Sequence, residues 1–275
     1  MPPSPDPAPV PSSMFNAQNA AAYEQMMGRW SRRLAPLLIR FGGLEDGERV
    51  LDVGCGTGSL TFALPEFADI GAVTGIDYAQ VYVDYAHARN TDPRITIGRG
   101  DACALPFADG TFDRAFSMLV LQFIPDGARA VAEMRRVVRP GGTVTAAVWD
   151  AFSGMPFARI IWDTAAVLHP TMPRPRALFR NLDAPGEMAE LWRRTGLLDV
   201  VEENLLIRME FASFEDYWQP FATGEGPVGQ FLVSLSAADL ATLKDHVWRA
   251  YLANRPDGPR SFASVAWACR GTVPG

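Results

Sequence analysis

The stretch Val50-Leu51-Asp52-Val53-Gly54-Cys55-Gly56-Thr57-Gly58 decides the fold. An apolar strand runs into glycines at alternate positions, and residues 59–66 beyond them read as a helix. Strand, glycine turn and helix together form the unit that lets backbone approach a nucleotide-like ligand closely. Asp52, two residues before Gly54, selects among such ligands, because its carboxylate repels a pyrophosphate and attracts a cation. A dinucleotide turn also places its third glycine three residues after the second. Position 59 is Ser.

Outward from this turn, short apolar runs alternate with helical stretches. Residues 49–53, 72–76, 94–97, 112–119 and 143–149 read as strands, and 79–89 and 128–138 as helices. Pro140-Gly141-Gly142 reads as a stop and turn before the last of these strands. The alternation implies right-handed crossovers and a parallel sheet covered by helices on both faces. Upstream, Tyr23, Met26, Met27, Trp30, Leu34, Leu37 and Leu38 follow helical spacing over residues 19–41, with Pro36 as a point of division. Residues 1–15 are proline-rich and read as a disordered tail. Beyond Asp150, residues 154–168 and 186–195 read as helices, 169–185 as a loop bearing Arg174, Arg176 and Arg180, and 197–211 and 261–270 as strands. No internal repeat is evident.

Composition narrows the function. The chain has 275 residues, 48% of them hydrophobic, and a net charge of −6. No basic stripe attracts a phosphate backbone, so nucleic acid is not the expected partner. No apolar run is long enough to span a bilayer, and the N-terminus lacks a secretory pattern. Cys55, Cys103 and Cys269 stand far apart, without the spacing of a disulfide framework or zinc site. A cytoplasmic setting and no metal are expected.

Two further carboxylates match the glycine turn. Asp77 ends the second strand, 23 residues beyond Gly54, where it is placed to accept from both hydroxyls of a ribose. Asp101 follows the third strand and is placed to accept from an adenine amino group, with the Ala102 backbone reading the ring edge. Three carboxylates at successive strand ends form one crevice. S-adenosylmethionine (SAM), cationic and free of phosphate, suits them better than a dinucleotide. The alternatives are a nicotinamide-dependent oxidoreductase, against which Asp52 and the glycine spacing count, and a non-catalytic SAM-binding protein, suggested by the lack of an obvious general base. His87, His169 and His246 are isolated in the sequence.

VLDVGCGTG at 50–58, GID at 75–77, GDACALPFADGTFD at 100–113 and RRVVRPGGTV at 135–144 resemble, in order, the successive motifs of the class I SAM-dependent methyltransferases. Within that family the resemblance is to the group containing the ubiquinone and menaquinone C-methyltransferases. It covers roughly residues 45–150 and implies an α/β, Rossmann-like doubly wound sheet, mostly parallel with an antiparallel last strand, carrying helical lid insertions. It implies SAM as cofactor, its demethylated product SAH, and contacts at Gly54, Thr57, Asp77, Asp101, Ala102 and Met118. Asp52, Cys55 and Gly56 complete the turn, Tyr78 is expected beside the adenosine, and Tyr23 and Trp30 are candidates for closing over the methionine end. The expected division is a tail at 1–15, a helical lid at 16–48, a SAM-binding core at 49–150, an acceptor-side segment at 151–196, and the last two strands at 197–275 with a helical insertion at about 212–258.

The acceptor is less legible. All seven tryptophans lie outside residues 50–148. Phe152, Phe157, Trp162, Phe211, Phe214, Tyr217, Trp218, Phe221 and Phe231 are candidates for walling a cavity for a small apolar or aromatic molecule. The acceptor's identity, the atom methylated (O, N or C), the catalytic group and the oligomeric state stay open.

Overall fold

A computed structural model describes residues 12–170 and 182–275. The part of the expected tail at 1–11 and the three arginines of the 169–185 loop lie outside the described residues. Seven strands, β1 (Arg49–Val53), β2 (Ala72–Asp77), β3 (Ile95–Arg99), β4 (Phe112–Met118), β5 (Val138–Trp149), β6 (Leu198–Phe211) and β7 (Arg260–Thr272), form one sheet in the order β3-β2-β1-β4-β5-β7-β6. The first five run parallel, while β7 is antiparallel to both β5 and β6. The sheet is therefore the expected one, mostly parallel with an antiparallel last strand.

Helices cover both faces, and this is why the central strands are apolar along their length. Val50, Phe116 and Ala147 join one core cluster, and Leu51, Ala115 and Ala146 the other. On the first face lie α2 (Arg29–Gly42), α5 (Pro156–Leu168), α7 (Phe214–Ala222), α8 (Gly226–Ser234) and α9 (Ala237–Leu252); on the second lie α4 (Gly127–Val137) and α6 (Glu187–Arg194). α3 (Gln80–Arg89) follows β2. Among the described residues no helix is long and apolar enough to cross a membrane.

The N-terminal helix begins as α1 (Ala20–Tyr23), capped by the Asn19 side chain, which accepts from the Ala22 N–H at 3.0 Å. It widens into a π turn at Glu24–Gly28 and continues as α2. Pro36 does not divide it: α2 runs through to Gly42 and ends on Gly43 at φ +68°.

Three local expectations are corrected. Residues 59–66 fold as tight turns and a short 3₁₀ segment (Leu64–Glu66) rather than a helix, since Pro65 cannot supply a backbone donor to a further turn. Pro140-Gly141-Gly142 lies inside β5, not before it: Phe112 pairs with Val138 and Arg114 with Thr143, so residues 139–142 bulge out and the strand resumes. Residues 12–15 make specific contacts rather than extending a disordered tail. The Ser12 hydroxyl donates to Asp101 at 2.6 Å, the Met14 N–H to the Phe123 carbonyl at 2.8 Å, and the Phe15 ring meets Tyr23 and Phe123 edge-on.

At the amino end of the sheet, Arg114 on β4 is buried and donates to Glu48, to the Gly42 carbonyl at 2.7 Å and to Thr143 at 3.1 Å. It thereby ties the end of α2 to β1, β4 and β5. Arg114→Leu leaves the buried Glu48 unpaired and is expected to cost about 3–5 kcal/mol in urea unfolding. The double variant Arg114→Leu/Glu48→Leu is expected to recover at least half of that loss.

Candidate functional site

The chain leaves β1 for β2 and β3 on one side and returns to β4 and β5 on the other, so the strand order reverses between β1 and β4. Crevices form at such a reversal, outside the carboxyl ends of the strands. A cavity of about 300 Å³ lies there and extends from Asp101 after β3 to Trp149 at the end of β5.

Its β1–β3 half is polar. The Gly54 and Cys55 N–H groups both donate to the Ile76 carbonyl at 2.8 Å, bending the turn back onto β2. Gly54 has φ +76°, and a Cβ there would lie 2.4 Å from Val120; this position admits only glycine. Asp77 accepts the Gly56 N–H at 2.9 Å on one oxygen and the Ala79 N–H at 2.8 Å on the other. Each oxygen keeps a lone pair for a ligand. Asp101 accepts the Cys103 N–H at 2.8 Å and the Ser12 hydroxyl. Thr57 donates to Glu24, which also receives Arg32, so the π turn is fastened to the glycine turn. π turns of this kind recur at functional sites.

Charge is the distinctive property of this half. Asp52 is 1% exposed and accepts from the Thr61 hydroxyl at 2.6 Å through Oδ2. Burial pushes its pKa up to about 7, with the Asp77 carboxylate adding to the rise and the Thr61 bond opposing it. Burial also raises Asp77, against the donation of Ala79 and Gly56. Burial and both carboxylates raise the Cys55 thiol, which removes it as a nucleophile. Burial pushes Tyr23 up to about 12.

Ten buried side-chain polar atoms lack a hydrogen-bond partner among the described residues. Five belong to residues that line this cavity: Asp52 Oδ1, Ser31 Oγ, Ser59 Oγ, Gln122 Oε1 and His169 Nε2. Buried polar atoms are rarely left unpaired, and half of these share one space that a polar ligand would fill. Arg159 is the one Lys or Arg among the described lining residues, and it is paired with Asp163 at 2.9 Å.

The β4–β5 half is apolar. Trp149, Met155, Phe157, Trp162, Phe221 and Phe231 line it, with Trp162 and Phe231 centred 4.9 Å apart. Leu119, at its floor, holds φ +64°, a strained conformation for a branched side chain.

The structure brings Tyr23, Asp52, Gly54, Cys55, Gly56, Thr57, Asp77, Tyr78, Asp101, Ala102 and Met118 to the one cavity. Trp30 is not among its lining residues; it is buried against Phe211, ring centres 5.2 Å apart, beneath the Arg29 guanidinium. Seven residues return to the same face of an α-helix, but the π turn between Tyr23 and Trp30 rotates everything after it. Of the aromatic candidates, Phe157, Trp162, Phe221 and Phe231 line the cavity. Phe211, Phe214, Tyr217 and Trp218 pack in the core, and Phe152 is mostly exposed. Ser31 and Gln122 also line the cavity and Glu24 fastens the glycine turn, and neither the glycine spacing nor the strand-end carboxylates point to them. Gln122 had a signal, being the one polar side chain in Val120-Leu121-Gln122-Phe123-Ile124.

Residues 51–146 match the family model described as a methyltransferase domain. A demethylmenaquinone methyltransferase of Staphylococcus aureus is 38% identical over 117 residues, 42% of this chain and 47% of the relative. The aligned stretches span less than half the length of the first curated relatives matched. Among solved structures, the YcgJ protein of Bacillus subtilis superposes with a TM-score of 0.58 at 16% identity, covering 88% of this chain and 99% of the other. A phosphoethanolamine N-methyltransferase of Haemonchus contortus in complex with SAM gives 0.57 at 21% identity, covering 93% and 57%. At these identities the structural likeness is one of fold.

An aspartate whose pKa rises on folding, here from 3.8 to about 7, adds stability below pH 4 that is lost as the pH climbs through 7. The full rise corresponds to on the order of 4 kcal/mol. Ligand-free protein is therefore expected to melt lower at pH 8 than at pH 4, and Asp52→Asn to melt above wild type at pH 8 while converging with it at pH 4. Calorimetric melting across that range checks the sign.

Proposed function

Residues 51–146 are a methyltransferase domain of the class I, SAM-dependent kind, and on that premise we propose that the chain transfers a methyl group from SAM to a small, apolar or aromatic acceptor. One observation carries the reading: the polar half of the cavity presents three aspartates and, among the described residues, no Lys or Arg. Such a lining favours a cationic, phosphate-free ligand over a dinucleotide.

The residues present fit SAM. In this reading the free lone pairs of Asp77 take the two ribose hydroxyls, with Tyr78 beside the adenosine. Asp101 takes the adenine amino group on the oxygen that Ser12 holds, and the Ala102 backbone reads the ring. Asp52, with Oδ1 unpartnered, faces the cationic end, over which Gly54, Gly56, Thr57 and Tyr23 close. Met118 lies toward the apolar half. SAM supplies a methyl group on a sulfonium and leaves as a neutral thioether. The chain's own work is to hold two reactants in line and to exclude water, which accounts for much of the acceleration such sites achieve. The apolar walls favour a small-molecule acceptor over nucleic acid. The unpaired state of Cys55, Cys103 and Cys269 suits a cytoplasmic setting.

Isothermal titration of the full chain is expected to show SAM binding and no NADH binding; the reverse would overturn the reading. Asp77→Ala, which removes two charge-assisted hydrogen bonds, is expected to weaken SAM about 100-fold. Wild-type affinity is expected to rise severalfold from pH 6 to pH 8 as Asp52 ionises, since only the ionised form attracts a cation. Asp52→Asn is expected to flatten that profile.

A further inference from the structure

Resting on the methyl-transfer reading, we propose that the β4–β5 half of the cavity takes an uncharged, apolar molecule bearing a phenolic or enolic hydroxyl, and that His169 is the base that removes its proton.

The position of His169 is set by α5. Ala158, Trp162, Ala165, Ala166 and His169 all line the cavity, and their spacing traces one face of that helix. His169 closes this face: its N–H caps the helix by donating to the Ala165 carbonyl at 2.8 Å. The three alanines leave room for a ligand beside the Trp162 and His169 rings. The ring stands at the C-terminal end of α5, on the face that lines the cavity. Nε2 is buried and has no hydrogen-bond partner among the described residues. The other ionisable groups lining this half are committed elsewhere. Arg159 is paired with Asp163 and donates to the Phe152 carbonyl at 2.9 Å, and Asp183 also has a partner.

Chemistry narrows the acceptor. Walls of Trp149, Phe157, Trp162 and Phe231 desolvate what they enclose, and no unpaired cation among the described lining residues offsets a carboxylate or phosphate. A neutral amine nucleophile carries its own lone pair into the reaction, whereas a hydroxyl must lose a proton as it becomes an ether. A histidine with a free nitrogen, where the other ionisable groups of the lining already have partners, matches the hydroxyl. In the step, the acceptor oxygen bonds to the methyl carbon as the carbon–sulfur bond breaks. The electron pair of that bond stays on sulfur, and the hydroxyl proton passes to His169 Nε2 and then to solvent.

The test uses the full chain at pH 8.5 with two probes of one shape, both neutral at that pH: 4-butylphenol, and 4-butylaniline, whose nitrogen lone pair is free. Titrated into SAH-saturated protein, 4-butylphenol is expected to bind saturably, and phosphoethanolamine and butyrate are not. His169→Gln is expected to keep SAH and 4-butylphenol affinities within about twofold. It is expected to slow methyl transfer to 4-butylphenol about 100-fold, and transfer to 4-butylaniline, which attacks without first losing a proton, by less than about threefold. Equal losses with the phenol and the aniline, or a loss with neither, would overturn the role of His169. Protein that binds SAH but neither binds nor methylates 4-butylphenol would overturn the acceptor class and leave the methyltransferase reading standing. Failure of wild type to bind SAM or SAH would overturn both.

Discussion

A carboxylate buried beside another carboxylate is the constraint around which this molecule is arranged. Asp52 and Asp77 stand at the ends of neighbouring parallel strands, in a place that water does not reach freely; burial raises the proton affinity of both, and the charge of Asp77 adds to the rise at Asp52. Such an arrangement persists only if the surroundings enforce it. The enforcement here is backbone: two amides of the glycine turn on the Ile76 carbonyl, two more on Asp77, and a Thr61 hydroxyl on Asp52. Gly75 belongs to the same device, since a Cβ there would press on Cys55 and Thr61 at about 3.1 Å. Folding thus maintains a concentrated negative charge that only a cation, or a pair of protons, relieves.

This part of the molecule was readable from the chain because it is local. The glycines, Asp52 and Asp77 report on backbone shape and strand ends within thirty residues, and the central strands announced themselves as unbroken apolar runs because helices bury both faces. The failures have equally physical origins. A period of 3.6 places Trp30 on the face of Tyr23, and one wide turn changes the phase. Residues 12–15 have the composition of a tail, yet Ser12 and Phe15 find partners at Asp101, Tyr23 and Phe123 that only the fold assembles. Glu24 gains its meaning from Thr57 and Arg32, which it joins, and Gln122 from the cavity it lines; no local pattern encodes either.

The two halves of the cavity differ in the same way. The polar half is built from three adjacent strand ends, with the side chains that matter fixed by hydrogen bonds to backbone. The apolar half gathers Trp149 from β5, Phe157 and Trp162 from α5, Phe221 from α7 and Phe231 from α8, so its shape is a tertiary property that composition foreshadows only as an excess of aromatic residues. Phe214, Tyr217 and Trp218 belong to the same excess and pack the core instead. Aromatic content marks the region and does not separate wall from filling.

The place of β7 in the sheet bears on the order in which the molecule is assembled during synthesis. β7 is the last strand in the chain and lies between β5 and β6, so β6 has no partner until Arg260–Thr272 has left the ribosome. Up to that moment β5 has an open edge on one side, and the long β6 has two, with Leu198, Val201 and Leu206 exposed even in the finished fold. Unpaired edges are templates for association between chains. The nascent protein therefore carries its greatest aggregation hazard after β6 is made and before the sheet is closed, an interval about fifty residues long in which a holding chaperone has a defined edge to cover.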